Sequence, residues 1–127
     1  MIEKALRQEL NKINEIQNKI YPLNAPEGIK PPYIVYVSQF NRIKTLNELK
    51  NEKECVCIIN ILCSTYNEMK NITKKVENKV IEFLFNKIGD EHLYICDLNI
   101  NDVTETYEEQ VKLHRGIISV TFYYKEG

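Results

Sequence analysis

Four cysteines and two histidines are the side chains of this 127-residue chain best suited to nucleophilic or metal chemistry. Cys55, Cys57 and Cys63 occupy one parity of the run Glu54 to Ser64 and so fall on one face if that run is extended. Structural zinc sites pair cysteines two to four residues apart on a turn, twice over. Here the strand rise would set Cys55 and Cys63 about 27 Å apart, too far for one ion. Cys96 lies in a separate run. The spacing therefore predicts small buried hydrophobes rather than ligands. His92 precedes a strand pattern and His114 begins one, and no motif places a Ser or Cys nucleophile beside either. The four glycines do not cluster into a phosphate-binding loop. Neither Gly-x-Ser-x-Gly nor His-Glu-x-x-His occurs. The expectation is no catalytic, cofactor-binding or metal residue and no enzyme activity.

Charge and aromatic clusters leave more open. Asp102, Glu105, Glu108 and Glu109 make an acidic stretch without the alternating Asp/Asn and Gly spacing of a calcium loop. It is either a solvated loop or an electrostatic edge that meets lysines of a neighbouring copy, such as Lys70, Lys74, Lys75 and Lys79. Those lysines are otherwise the wet face of a helix. Tyr33, Tyr36, Tyr107, Tyr123 and Tyr124 suit either an interface or half-buried strand positions.

The elements that position these groups follow from periodicity. Ile2, Leu6, Leu10, Ile13 and Ile16 form one apolar stripe and predict a helix over 3–18. Residues 22–32 hold four prolines and Gly28 and predict a loop. Tyr33 to Ser38 predicts a strand, being β-branched and aromatic. Residues 39–54 are polar and charged, with Thr45 and Glu48 spaced as a helix capping box. Residues 54–64 form the clearest strand, apolar on both faces and so expected to be central. Thr65 to Glu68 is a capping box that opens a helix over 66–88, with Gly89 as its expected stop. Leu93 to Asn101 and Leu113 to Tyr124 predict two more strands, joined by the acidic connection 102–112. The order α-β-β-α-β-β implies an α+β two-layer sandwich, its sheet mostly antiparallel and its two helices mainly on one face.

Composition bounds the class. A chain of 127 residues, 43% hydrophobic and 28% charged, suits one globular domain over 1–127. Seventeen basic against eighteen acidic residues give a net charge of -1, which argues against a dedicated nucleic-acid binder. No run is long enough to span a membrane, and the N-terminal residues carry no signal-peptide pattern, so synthesis in a reducing cytoplasm is expected. A small ligand-binding or regulatory module on the same fold is the competing function class, since fold does not fix function.

One further pattern spans nearly the whole chain. Ile20-Tyr21-Pro22 and Ala25-Pro26 lead to Pro32-Tyr33-Ile34-Val35-Tyr36; a later strand runs into Ser64-Thr65-Tyr66 and a long helix; Arg115-Gly116-Ile117-Ile118-Ser119-Val120-Thr121-Phe122 closes the chain. This resembles the tail completion, or tail terminator, proteins of long-tailed phages, including the tail-to-head joining proteins. The resemblance implies a structural virion subunit, made in the host cytoplasm, that assembles as a homo-oligomeric ring, typically a hexamer. That ring would cap the head-proximal end of the tail tube, halt tube polymerisation and dock to the head–tail connector or stopper protein. DNA would pass through its lumen without specific binding, and no cofactor is implied. Polar excursions at 22–32, 39–54 and 102–112 are the expected carriers of these contacts.

Overall fold

The structure, a computed structural model, describes residues 2–40 and 52–126. The expected capping box at Thr45 and Glu48 lies outside the described residues. Helix α1 (Ile2–Leu10) buries Ile2, Ala5, Leu6 and Leu10, the stripe read from their spacing. It is shorter than the expected 3–18. Beyond Leu10 the chain turns and passes through a 3-10 turn at Asn14–Ile16. Asn11 explains the stop: its side-chain oxygen accepts the Asn18 N–H at 2.5 Å, and Asn18 takes the left-handed conformation with φ 63. Asparagine competes in this way with continued helix.

Six strands follow in one sheet: β1 (Ile20–Pro22), β2 (Tyr33–Phe40), β3 (Lys53–Cys63), β4 (Lys87–Ile88), β5 (Leu93–Glu108) and β6 (Leu113–Lys125). Their order is β1-β2-β3-β6-β5-β4. The class is α+β, but the sheet is mixed rather than the mostly antiparallel sheet expected. The connection 23–32 carries the chain back so that β1 pairs parallel to β2, with Ile20 opposite Ile34. β3 is interior to the sheet, as its two apolar faces predicted, and pairs antiparallel with β2 and β6.

The long helix α2 (Tyr66–Glu82) starts where the capping box placed it. Thr65 Oγ1 accepts the Glu68 N–H at 3.2 Å. It ends six residues before Ile88. Phe85 adopts φ 62, and the Asn86 amide donates to the Glu82 carbonyl at 2.7 Å, closing the last turn. Gly89 is also left-handed, at φ 70, but it turns β4 into β5 instead of stopping the helix.

Both helices and one face of the sheet share a single core. It contains Ile2, Leu6, Ile34, Ile59, Val76 and Phe122 among others. The register explains why: Ile34, Ile61 and Gly116 lie in one row across β2, β3 and β6, and Tyr36, Ile59 and Ile118 in the next. Gly116 sits beneath α2. A Cβ there would overlap Thr73 Oγ1, so glycine lets the helix approach the strand closely. The opposite face is less covered: Val37 and Ile58 are 38% and 39% exposed.

Candidate assembly surface

The thiols lie inside the core. Cys55, Cys57 and Cys63 are fully buried on the helix-facing side of β3. The Cys55 and Cys57 sulfurs are 3.7 Å apart, and Ser38 Oγ is 3.6 Å from Cys57 Sγ. The hydrogen bond to Cys57, together with burial, pushes the Cys55 thiol up. Burial raises Cys63 to about 12. Cys55 and Cys63, held neutral, are poor nucleophiles and poor ligands, whereas hydrogen bonds with Cys55 and Ser38 lower the Cys57 thiol. Among the described residues no group of three or more His, Cys, Asp or Glu side chains is placed to hold a metal ion.

The two histidines are far apart in role. His92 is exposed in the turn between β4 and β5 with φ 54. His114 belongs to an aromatic cluster, its ring centroid 4.8 Å from Tyr107 and 6.0 Å from Tyr66. The Tyr66 hydroxyl donates to Glu105 at 3.0 Å, and Lys70 reaches the same carboxylate at 3.0 Å. These bonds, Lys70 first and then Tyr66, hold the Glu105 carboxyl below its ordinary range. The contacts tie the C-terminal half of β5 to the start of α2.

The acidic stretch is corrected by this geometry. Residues 102–108 are not a loop but the second half of β5, paired with β6 from Asp102 opposite Ser119 to Glu108 opposite Leu113. Val103, Thr104, Thr106 and Tyr107 carry strand propensity that outweighs the charges between them. Three of the four lysines pair within the chain: Lys70 with Glu105, Lys75 with Glu15, and Lys79 with Glu82 at 3.8 Å. Glu108 forms an ion pair with Arg115, Oε1 to Nε at 3.3 Å. Of the five singled-out tyrosines, Tyr36 and Tyr124 are core residues, Tyr33 and Tyr123 are half-buried, and Tyr107 is exposed.

Two features that the sequence reading missed stand at opposite ends of the sheet. At one end, β1 covers the flank of β2 only as far as Tyr36. Beyond it, a groove of about 540 Å³ opens between α1 and β2, lined by Lys4, Arg7, Leu23, Tyr36 and Val37 with Glu3. Leu23 is 68% exposed there. At the other end, β4 pairs with β5 only at Leu93 and Tyr94, and Phe85 and Asn86 extend the bonding to Ile95. From Asp97 to Glu108 no described strand pairs with the outer edge of β5. Register shifts between Ile95 and Asp97 and between Ile100 and Asp102 interrupt this edge. The loop over 22–32 is largely exposed, with Gly28 at φ 79. Among the described residues no helix is long and apolar enough to cross a membrane.

No protein-family model matches the chain, and no curated protein matches it by sequence. The fold does have a solved counterpart. A chain in the structure described as "Virion of native gene transfer agent (GTA) particle" superposes with a TM-score of 0.63 at 12% identity, covering 97% of this chain and 92% of its own. At that identity the likeness is one of fold.

Proposed function

We propose that this chain is a structural virion protein of a phage-like particle. It forms a ring, hexameric as in the tail terminator proteins its sequence resembles, at the head-proximal end of the tail. The ring stops tube polymerisation and joins the tail to the head connector, while DNA passes through its lumen. The observation that carries this reading is the fold shared along almost the whole chain with a protein of a gene transfer agent virion. Two further features agree with it. The residues suited to chemistry are spent on packing, since Cys55, Cys57 and Cys63 are fully buried. The net charge of -1 suits a conduit that should not retain DNA, because affinity for DNA rests on phosphate-neutralising cations. In this reading the working part is surface shape, and no bond is made or broken.

Electron microscopy of particles assembled with and without the protein tests the proposal. Tails of uncontrolled length, or tails without heads, are expected in its absence. Normal joined particles would refute it.

A further inference from the structure

Opposite charges four residues apart on a helix lie on one face and normally meet. In α1, Glu3 and Arg7 are so spaced, with Lys4 beside them, yet among the described residues none of the three is in an ion pair. Glu3 Oε1 is buried without a hydrogen-bond partner, and Arg7 turns to the Tyr36 hydroxyl instead. All three side chains line the groove between α1 and β2. We infer that this groove is a peptide-binding site: it takes an extended segment of another protein that carries a carboxylate next to an aliphatic side chain. The inference goes beyond the ring reading and does not depend on it.

Size and walls set the class of ligand. At about 540 Å³ the groove is as large as known ligand sites, which are mostly apolar with a few placed polar groups. Its apolar wall is Leu23 and Val37, 68% and 38% exposed, beside Pro22. Leu23 is held there on a left-handed backbone, φ 64, which is unfavourable for a branched side chain. Strain that presents a leucine to solvent points to a contact made with a partner.

Charge selects the acid. Two cations face one carboxylate, so the groove attracts an anionic group, and a guanidinium holds a carboxylate with two N–H donors. Glu3 selects the rest of the ligand. A carboxylate without a donor is satisfied by an N–H, and a peptide backbone brings N–H groups that an aliphatic acid lacks. β2 offers main-chain groups in return. The Ile34 N–H donates to the Lys19 carbonyl, and the Tyr36 carbonyl accepts the Leu23 N–H. Alternation turns the main-chain groups of Ser38, which lines the groove, to the same side. Cations, an apolar wall and main-chain groups side by side suit an extended peptide.

Nuclear magnetic resonance titration of the isotope-labelled full chain tests this. The probe is the peptide acetyl-Ser-Leu-Asp-Val-Ser-amide. The controls are the same peptide with Asn or Lys in place of Asp, and octanoate as an aliphatic acid without a backbone. The acidic peptide should shift the amide signals of Lys4, Arg7, Val37 and Ser38. It should bind about tenfold more tightly than the Asn peptide, with octanoate and the Lys peptide weaker still. Added salt should weaken it. Arg7→Glu and, separately, Lys4→Glu at an exposed position should each reverse the order and favour the Lys peptide. Equal binding of the Asp and Asn peptides, shifts confined to other residues, or no shift at millimolar peptide would overturn the site. So would movement of the same signals with protein concentration alone, which would assign the groove to a second copy. None of these results bears on the ring, which microscopy of assembled particles decides.

Discussion

Replacing Gly116 by alanine tests the packing of α2 on the sheet. The added Cβ would overlap Thr73 Oγ1 and lie 3.2 Å from Thr73 Cβ and 3.3 Å from Met69 Sδ. Methionine is compliant, but Thr73 is β-branched, and its Cβ is fixed to the helix backbone. Either the helix lifts or Thr73 leaves its rotamer. Overpacking of this kind costs about 1–3 kcal/mol, offset by roughly 0.5–1 kcal/mol for removing a glycine from a strand. The net loss is about 1–2 kcal/mol, or a fall in Tm of roughly 4–8 °C for a domain of this size. The second half of the cycle makes the reasoning refutable. Thr73 Oγ1 is buried and has no hydrogen-bond partner among the described residues. Thr73→Ala removes an unpaired hydroxyl along with one methyl, so by itself it should change stability by less than about 1 kcal/mol. In that background Gly116→Ala should become neutral or stabilising, a coupling of at least about 1 kcal/mol. Urea unfolding of the four proteins measures it. Equal cost in both backgrounds would show that Gly116 is not what sets the helix-to-sheet distance.

Three other outcomes follow from local geometry. Gly89→Ala places a methyl 2.7 Å from Ala5 Cβ at a position with φ +70, so both strain and overlap act, and thermal unfolding should show a loss of about 2–4 kcal/mol. Thr65→Ala removes the side-chain acceptor of the Glu68 N–H and should cost about 1 kcal/mol in urea unfolding, with Thr65→Ser restoring most of it. For Glu9, burial raises the carboxyl, but the hydrogen bond from the Gly89 N–H and the ion pair with Lys12 outweigh it, so its pKa lies below 4.5 in the folded state. That stabilisation is present above the unfolded value and is lost as pH falls through the folded one; Glu9→Gln should therefore lower the urea midpoint at neutral pH, with the gap from wild type closing as the pH falls below the ordinary carboxylate range.

The fold was legible wherever one residue pattern dominated. The stripe of Ile2, Leu6 and Leu10 and the cap at Thr65 placed the starts of both helices, and the alternation of Cys55, Cys57, Ile59 and Ile61 placed the central strand. Helix ends were not legible, because they depend on single residues. Asn11 and Phe85 stop the helices through a side-chain bond and a left-handed backbone, where periodicity would continue. β1 and β4 have three and two residues, too short to show alternation, and they exist because longer neighbours offer them partners. The stretch from Asp102 to Glu108 was hidden by its charge. Its alternating Thr, Val and Tyr held the strand signal, but an edge strand needs no buried face on both sides and can be acidic.

The candidate surface was illegible for a different reason. Motifs report side chains brought together by spacing, whereas the two ends of this sheet are defined by which backbone edges lack neighbours. That property belongs to strand order. β1 stops at the level of Tyr36, and β4 with Asn86 and Phe85 stops at Ile95, so among the described residues no strand pairs with the outer edge of the longer strand beside each over the remainder of its length. Had β1 run two residues further, it would have covered the flank of β2 at Val37 and Ser38, where the groove now opens. Uncovered edges are hazards for aggregation and are normally shortened, charged or bulged. Here β5 is charged and bulged yet sixteen residues long, and β2 is flanked by Lys4 and Arg7.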